Sequence, residues 1–244
     1  ICKAQARNLL HLRFFMEDNP TLSQETRQRY ERTFQGAFYR RFVLGEWTAA
    51  EGLVYDFFEE SMVRSAPAEP ADRWVISCDY GTVNPTSMGL WGKWGGVWYR
   101  VQEYYYDARA ARRQQTDQEY AQRLRELAGG REIEAVVVDP SAASFLEVLR
   151  REGWHVRKAD NEVLSGIRQT ADALKQGKIV ICPPCTDAIR EFASYCWDLS
   201  AGDRDRVRKE FDHAMDEIRY FVATVVAPEE GEDLFFAGYV ERHV

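Results

Sequence analysis

Two stretches of sequence decide the fold: Trp74-Val75-Ile76-Ser77-Cys78-Asp79 and Ala135-Val136-Val137-Val138-Asp139. Both are apolar runs of strand length, and the second has the β-branched composition of a strand that is buried on both faces. Each run ends at an aspartate. We therefore predict two strands whose carboxyl ends carry Asp79 and Asp139.

Further predicted elements surround these two strands. Gly95-Gly96 is a two-residue hairpin signal, and helical patterns alternate with short apolar runs after residue 115. The additional strands are predicted at 87–94, 97–106, 155–157 and 179–181, and the helices at 115–128, 143–151, 162–176, 186–198 and 212–225. Three antiparallel strands followed by alternating helices and strands predict an α/β fold, a mixed sheet flanked by helices.

The first 50 residues differ from the rest of the chain. Thr21-Leu22-Ser23-Gln24 has the pattern of a capping box that opens a charged helix over 24–34, and residues 38–42 indicate a second short helical piece. The chain also lacks an initiating Met. We expect residues 1–50 to be the end of a preceding domain with its linker, and residues 51–244 to be one main domain of a longer polypeptide.

The composition is typical of a soluble intracellular protein. The 244 residues are 45% hydrophobic, enough for one substantial core, and they contain neither a run of about 18 apolar residues nor a signal-peptide pattern. The five cysteines have no disulfide-framework spacing, which suits the cytoplasm. Cys182-Pro183-Pro184-Cys185 has the spacing of a redox site or half a zinc site, but without a second pair we favour a proline-rich turn after a strand.

The net charge of −7 argues against a nucleic-acid partner, unless bound cations offset the carboxylates. Basic residues are nevertheless clustered in two places, and each cluster is either a contact to the DNA backbone or a solvated face. The clusters are Arg109, Arg112 and Arg113 in the first, and Arg204, Arg206, Arg208 and Lys209 in the second. Charge alone therefore leaves a nucleic-acid partner open.

Asp79 and Asp139 predict a metal site if their strands are neighbours, because their carboxylates would then meet at one edge of the sheet. Like charges held a few ångströms apart raise a pKa or need a cation between them, and hard oxygen ligands suit Mg²⁺ or Mn²⁺. The alternative is that each aspartate only caps its strand or turn.

A third stretch is Phe211-Asp212-His213-Ala214-Met215-Asp216-Glu217-Ile218-Arg219-Tyr220, which predicts a helix whose neighbouring turns present several ligands together. We expect Asp216 to bind metal and Asp212 to be the N-cap of the helix, with a metal contact by Asp212 as the alternative. His213 has three interpretations: a ligand, a residue that orients Asp216 or a water, or a surface histidine.

These stretches resemble the three nuclease motifs of phage terminase large subunits of the PBSX-like group. The matching residues are 78–86, 138–142 and 212–220, in the order and spacing of that family, with further similarity at 45–47, 51–55, 158–161 and 166–168. The resemblance covers nearly the whole chain. It implies an RNase H-like fold from about residue 51 onward, and it makes residues 1–50 similar to the end of the ATPase domain and its linker.

The resemblance implies a DNA-packaging endonuclease. Asp79, Asp139 and Asp216 match the metal-binding carboxylates of the family, and His213 matches a histidine that joins the site in some relatives. Two divalent cations about 3.5–4 Å apart, bridged by Asp79 and each held by one other aspartate, would activate a water and stabilise the leaving 3′ oxygen. The implied substrate is double-stranded concatemeric DNA cut with little sequence preference. The implied partners are the portal protein and the small terminase subunit, in the host cytoplasm.

Three other interpretations remain. The run 136–139 could be a Walker B strand, but no GxxxxGK[ST] phosphate loop occurs, so we expect this chain to bind no nucleotide. Another nuclease of the same fold, of the resolvase or integrase type, would use the same carboxylates on a different substrate. A non-catalytic docking or DNA-binding module of the packaging motor would instead use the acidic surface and exposed aromatic side chains.

Overall fold

The computed structural model describes residues 23–24, 52–198 and 205–228 of the chain. Two compact units are distinguished, Ile1–Asp56 with Cys196–Lys209, and Phe57–Tyr195 with Glu210–Val244. The helices expected at 24–34 and 38–42, and the expected segment 1–50 as a whole, lie outside the described residues apart from Ser23 and Gln24. The division of the chain near residue 50 therefore stays a prediction.

The larger unit is built on one six-stranded sheet with the strand order β5-β4-β1-β2-β3-β6. The strands are β1 (Arg73–Asp79), β2 (Thr86–Trp94), β3 (Val97–Tyr106), β4 (Ala135–Val138), β5 (Val156–Lys158) and β6 (Ile179–Ile181). The first three are antiparallel neighbours, whereas β4, β5 and β6 each pair in parallel. The predicted mixed sheet of an α/β fold is confirmed.

Helices lie on both faces of this sheet. They are α1 (Asp117–Ala128), α2 (Ala143–Arg151), α3 (Val163–Lys175), α4 (Thr186–Phe192) and α5 (His213–Phe221), which continues into a π-helical segment, Val222–Val226. Helices α1 and α2 pack together over one core, and α5 packs on β1 and β2 with α3 and α4 beside it. In the described part of the chain, no helix is long and apolar enough to cross a membrane.

The alternation of side chains along β1 decides which face each residue joins. Ile76 and Cys78 belong to the apolar core that includes residues of α1 and α2. Ser77 points the other way, since its hydroxyl donates to Glu217 of α5. Asp79 is two residues beyond Ser77, so it lies on the face that α5 covers.

Turn and cap residues fix the ends of several elements. Thr116 caps α1 in a capping box with Glu119, and Gly129 ends that helix in the left-handed conformation. Gly95 and Gly96 have φ angles of 54° and 89°, and a two-residue turn of this kind needs positive φ at both positions. The predicted hairpin between β2 and β3 is therefore confirmed.

The helix predicted over 186–198 is wrong in its second half. Helix α4 ends at Phe192, and the backbone N–H groups of Ser194 and Tyr195 beyond it both donate to the carbonyl of Glu191. The following residues form isolated bridges within the smaller unit, Leu53 with Cys196 and Trp197 with Val207. The bounds of the other predicted elements agree with the structure within about two residues, the usual uncertainty of helix and strand ends.

Candidate metal centre

The two strands that carry aspartates are neighbours, which is the condition on which the predicted metal site depends. Strands β1 and β4 pair in parallel with Cys78 opposite Val138, so Asp79 and Asp139 leave the sheet at the same edge. The carboxyl ends of parallel strands are where α/β sheets most often place their binding sites.

Helix α5 brings further ligands to this edge. Nδ1 of His213 lies 2.9 Å from Oδ2 of Asp79, and Asp216 lies one turn further along the helix with 6% of its surface exposed. The phenol of Tyr220 hydrogen-bonds to Asp139, and burial together with the charges of Asp79 and Asp216 raises the pKa of Tyr220. We call Asp79, Asp139 and Asp216 the carboxylate edge.

Asp79 lies close to other carboxylates, and His213 only partly offsets their negative charge. Burial raises the pKa of Asp79 to about 6, against the hydrogen bond from His213, and the charges of Asp216 and Asp212 add to the rise. Burial lowers the pKa of His213, but the contact with Asp79 and the charge of Asp212 outweigh it and keep that pKa above its usual value. A bound cation would offset this negative charge.

Asp139 is stabilised in its charged form. Burial raises the pKa of Asp139, but hydrogen bonds from Ser141, Tyr220 and Asn161 outweigh that effect and bring the pKa below its usual value. The backbone N–H of Ser141 donates to Oδ1 at 2.7 Å, and Nδ2 of Asn161 lies 3.4 Å from Oδ2. The two interpretations of Asp139 are thus compatible, because it caps the turn after β4 and also belongs to the carboxylate edge.

The expected capping role of Asp212 is only half correct. Asp212 occupies the N-cap position of α5, but its carboxylate makes no capping hydrogen bond. Oε2 of the buried Glu191, on α4, instead accepts the backbone N–H groups of Ala214 and Met215 at 2.7 and 3.4 Å. Oδ1 of Asp212 lies 3.9 Å from Nε2 of His213. No sequence pattern indicated Glu191, because the contact joins two helices that are distant along the chain.

No protein-family model matches the chain, but it is similar to known phage proteins. The large terminase of a thermophilic bacteriophage, solved in complex with ADP, is 46% identical over 90% of this chain and 56% of that chain, with a TM-score of 0.83. The terminase large subunit of Escherichia phage T5 is 22% identical over 222 residues, 85% of this chain and 50% of that protein. The chain is a relative of phage terminase large subunits.

The structural likeness extends to a terminase nuclease. The large terminase nuclease of the thermophilic phage G20c, solved with bound magnesium, is 14% identical with a TM-score of 0.54, over 70% of this chain and 97% of that chain. This level of identity concerns the fold alone. The larger unit has the RNase H-like fold of terminase nuclease domains, as predicted. The chain spans about half the length of the T5 terminase subunit.

The donors of the carboxylate edge suit a hard divalent cation, because they are carboxylate oxygens with a histidine beside them. Within the described residues, no three His, Cys, Asp or Glu side chains stand so that they could hold an ion between them. The donor chemistry in this terminase relative therefore fits a cation, and closing the site around one requires side-chain adjustment. The assignment of metal ligands stays a prediction.

Other predicted functional residues lie elsewhere. Arg206, Arg208 and Lys209 are exposed and belong to the smaller unit, while Arg204 is outside the described residues. Their role in DNA contact stays a prediction. Residues 182–185 contain the turn expected after β6, and burial raises the pKa of the Cys182 and Cys185 thiols to about 11 and about 12.

Arg219 lies near the carboxylate edge and was not predicted from the sequence, although its spacing from Asp216 could have indicated it. Arg219 follows Asp216 by three positions on a predicted helix, a separation at which side chains of opposite charge meet. In the structure Nη2 of Arg219 lies 2.8 Å from Oδ1 of Asp216. Asp216 is therefore held by a partner from its own helix.

Proposed function

We propose that this chain is the nuclease part of a terminase large subunit and cleaves DNA with divalent cations. The observation that carries the proposal is the carboxylate edge, in which aspartates from two neighbouring strands and from α5 surround Tyr220. The similarity to the ADP-bound large terminase and to the T5 terminase subunit supports it, and so does the magnesium in the G20c nuclease.

Asp79, Asp139 and Asp216 would hold two divalent cations, Mg²⁺ or Mn²⁺. When bound, the cations supply an activated water and stabilise the charge on the leaving 3′ oxygen. The contribution of the chain is orientation. His213 fixes one oxygen of Asp79 at 2.9 Å, and the backbone N–H of Ser141 fixes one oxygen of Asp139 at 2.7 Å. Of the three interpretations of His213, we therefore favour the orienting one, directed at Asp79.

The substrate that we infer is double-stranded concatemeric DNA, cut with little sequence preference. Contacts to phosphates position a nucleic acid without reading its bases. Arg206, Arg208 and Lys209 are exposed cations that suit such contacts, together with Arg204 in the sequence. As partners we infer the portal protein and the small terminase subunit, which a packaging nuclease would need to reach the viral DNA.

We further propose that residues 1–50 are the end of an ATPase domain and its linker, with the nuclease beginning near residue 51. The 244-residue sequence contains no GxxxxGK[ST] phosphate loop, so we assign no nucleotide to it. The ADP is a feature of the related large terminase structure.

Incubation of the purified chain with supercoiled plasmid tests the proposal. We expect nicking in Mn²⁺ or Mg²⁺ and none in EDTA. We expect none with Asp79→Ala in any condition, because that variant removes a proposed cation ligand, the carboxylate that also contacts His213. Cys182→Ser is the matched control, since it alters a buried residue at the same edge of the sheet and should cut like wild type. Nicking by Asp79→Ala at the wild-type rate would contradict the proposal.

A second candidate is a non-catalytic docking or DNA-binding module of the packaging motor. The observation that favours it is the absence, among the described residues, of three side chains placed to hold an ion. Such a module would retard DNA in a gel with or without Mn²⁺ and would never nick it. A nuclease of the resolvase type would prefer branched junctions over linear duplex, so a junction substrate in the same assay separates that alternative.

A further inference from the structure

Arg219 is a buried arginine that joins α5 to the turn after β5. Its side chain is 3% exposed, and Nη2 donates to Oδ1 of Asp216 at 2.8 Å. Nη1 donates to the backbone carbonyls of Asn161 and Glu162 at 2.8 and 3.1 Å. Glu162 is the N-cap residue of α3, so the guanidinium also fixes the point where that helix begins. A planar guanidinium can serve these acceptors at once because its donors have fixed directions.

The same turn reaches a second member of the carboxylate edge. Nδ2 of Asn161 lies 3.4 Å from Oδ2 of Asp139, while the backbone carbonyl of Asn161 accepts from Arg219. Arg219 is therefore in direct contact with Asp216 and is separated from Asp139 by one residue. Two of the three carboxylates are linked through Arg219 and Asn161.

Two features that lower stability are present at this contact. Nε of Arg219 is buried without a hydrogen-bond partner among the described residues, and an unpaired buried donor lowers stability. Helix α3 has Gly166 at a position where a Cβ would lie 2.6 Å from Cγ of Arg219, and a glycine inside a helix is less favourable than alanine. Buried ion pairs are in general weak contributors to stability. The contact therefore favours a role in orientation.

We propose that Arg219 is a positioning residue of the metal centre, which orients Asp216 directly and Asp139 through Asn161 for a divalent cation. A carboxylate has two oxygens, so a hydrogen bond to one of them fixes the direction of the other. The inference rests on the proposed function, because it concerns the same cation site.

Mn²⁺ binding by the whole chain tests this role, with free Mn²⁺ measured by electron paramagnetic resonance and with thermal unfolding of the same samples. Arg219→Lys keeps the charge but replaces the planar donor pair by one ammonium group. Gly166→Ala keeps every polar group and displaces Arg219 by contact with the new Cβ. We expect each change to raise the Kd for Mn²⁺ about 10- to 100-fold, and excess Mn²⁺ to restore plasmid nicking.

Arg73→Lys is the matched control. Arg73 also makes a two-point contact with a carboxylate, to Glu134 at 2.6 and 2.7 Å, but it lies at the opposite end of β1 from Asp79. Its Kd for Mn²⁺ should equal that of wild type. Lower unfolding temperatures of Arg219→Lys and Gly166→Ala with an unchanged Kd in the folded protein would overturn the proposal. If wild type neither binds Mn²⁺ nor nicks DNA, the proposed function itself fails, and the positioning role with it.

Discussion

Asp216 and Glu217 are consecutive residues of α5, yet their carboxylates enter different environments. Glu217 belongs to what we call the buried ion-pair network, the residues Ser77, Trp91, Arg100 and Glu217, all of them 0% exposed. Nε and Nη2 of Arg100 donate to one oxygen of Glu217 at 3.0 and 2.6 Å. The hydroxyl of Ser77 and the indole N–H of Trp91 donate to the other. Both oxygens of Glu217 are thus supplied with donors.

Asp79, in the carboxylate edge, is arranged in the opposite way. Among the described residues it accepts a contact from His213 at 2.9 Å, and burial and two neighbouring aspartates raise its pKa to about 6. A carboxylate that is saturated by buried donors stabilises the fold, and its removal leaves an uncompensated charge. A buried carboxylate such as Asp79, which lies beside other carboxylates and keeps a raised pKa despite its contact with His213, destabilises the empty protein and suits a cation. The supply of donors therefore separates Asp79 from Glu217 better than the residue type does.

The largest effect that we expect is the loss of nicking when Asp139 is replaced. Asp139→Asn should reduce plasmid nicking by about three orders of magnitude or more at saturating Mn²⁺, because a metal-binding charge is lost. The fold should remain, since the asparagine oxygen can still accept from the backbone N–H of Ser141. Nicking rates and thermal unfolding of the same preparation measure both quantities. Full activity would remove Asp139 from the proposed centre.

Glu217→Gln should have the reverse profile. This change leaves Arg100 buried with less counter-charge, and breaking a buried pair costs about 3 kcal/mol, here moderated because Nη1 of Arg100 also contacts Glu103 at 2.5 Å. Urea unfolding should show the loss, while the nicking rate of the folded fraction stays within the range of wild type. A variant of unchanged stability that no longer nicks DNA would mean that the buried ion-pair network belongs to the site.

Stability against pH tests the carboxylate edge without any metal. The folded protein holds the proton of Asp79 more tightly than the unfolded chain does, since burial raises the pKa of Asp79 from 3.8 to about 6. Binding of this proton stabilises the folded state. The stabilisation is fully present below the pKa of Asp79 in the unfolded chain, and it is lost as the pH rises through about 6. In EDTA, Asp79→Asn should therefore be more stable than wild type by about 1–3 kcal/mol at pH 8 and equal to it near pH 4.

Urea unfolding at both pH values provides the measurement. The matched variant is Asp139→Asn, where the pKa of the native carboxyl is lowered, so that this change should not stabilise the protein at pH 8. An equal gain for both variants would show that the negative field is not centred on Asp79.

The parts of the fold that follow from local pattern could be predicted from sequence. The apolar runs that end at Asp79 and Asp139 predicted β1 and β4, and the helical periodicity of 143–151 predicted α2 with its bounds. That β1 and β4 are neighbours was a condition of the predicted site and is seen in the structure. The helix expected over 186–198 failed because apolar periodicity continues past Phe192, where the chain leaves the helix to form bridges that no local pattern encodes.

The candidate site could be predicted to the level of its carboxylates, and no further. Asp79 and Asp139 stand at the ends of apolar runs, and Asp216 stands on a predicted helix. Some of their partners are local, such as Ser141 for Asp139 and Arg219 for Asp216, but others come from distant parts of the chain. Glu191 displaces the expected cap of α5, and Asn161 reaches Asp139 across the turn after β5. Such contacts depend on helix packing, which a single sequence does not specify.

The smallest expected effect concerns the two cysteines beside the buried ion-pair network. Cys185 is 0% exposed, its Sγ donates to the carbonyl of Arg100 at 3.0 Å, and burial raises the pKa of that thiol to about 12. Only a thiolate reacts readily, so at pH 8 neither Cys185 nor Cys182, with a pKa of about 11, should be alkylated by iodoacetamide in the folded protein. Peptide mapping by mass spectrometry measures this.

Cys185→Ala should leave plasmid nicking unchanged and lower stability by about 1 kcal/mol, because the carbonyl of Arg100 loses the thiol donor but keeps the backbone N–H of Cys182 at 3.1 Å. Alkylation of the folded protein at these thiols, or nicking that depends on oxidants, would assign the turn a redox role. It would also mean that a full set of hydrogen-bond partners, the property that separates Glu217 from Asp79, does not by itself identify the buried residues that only support the fold.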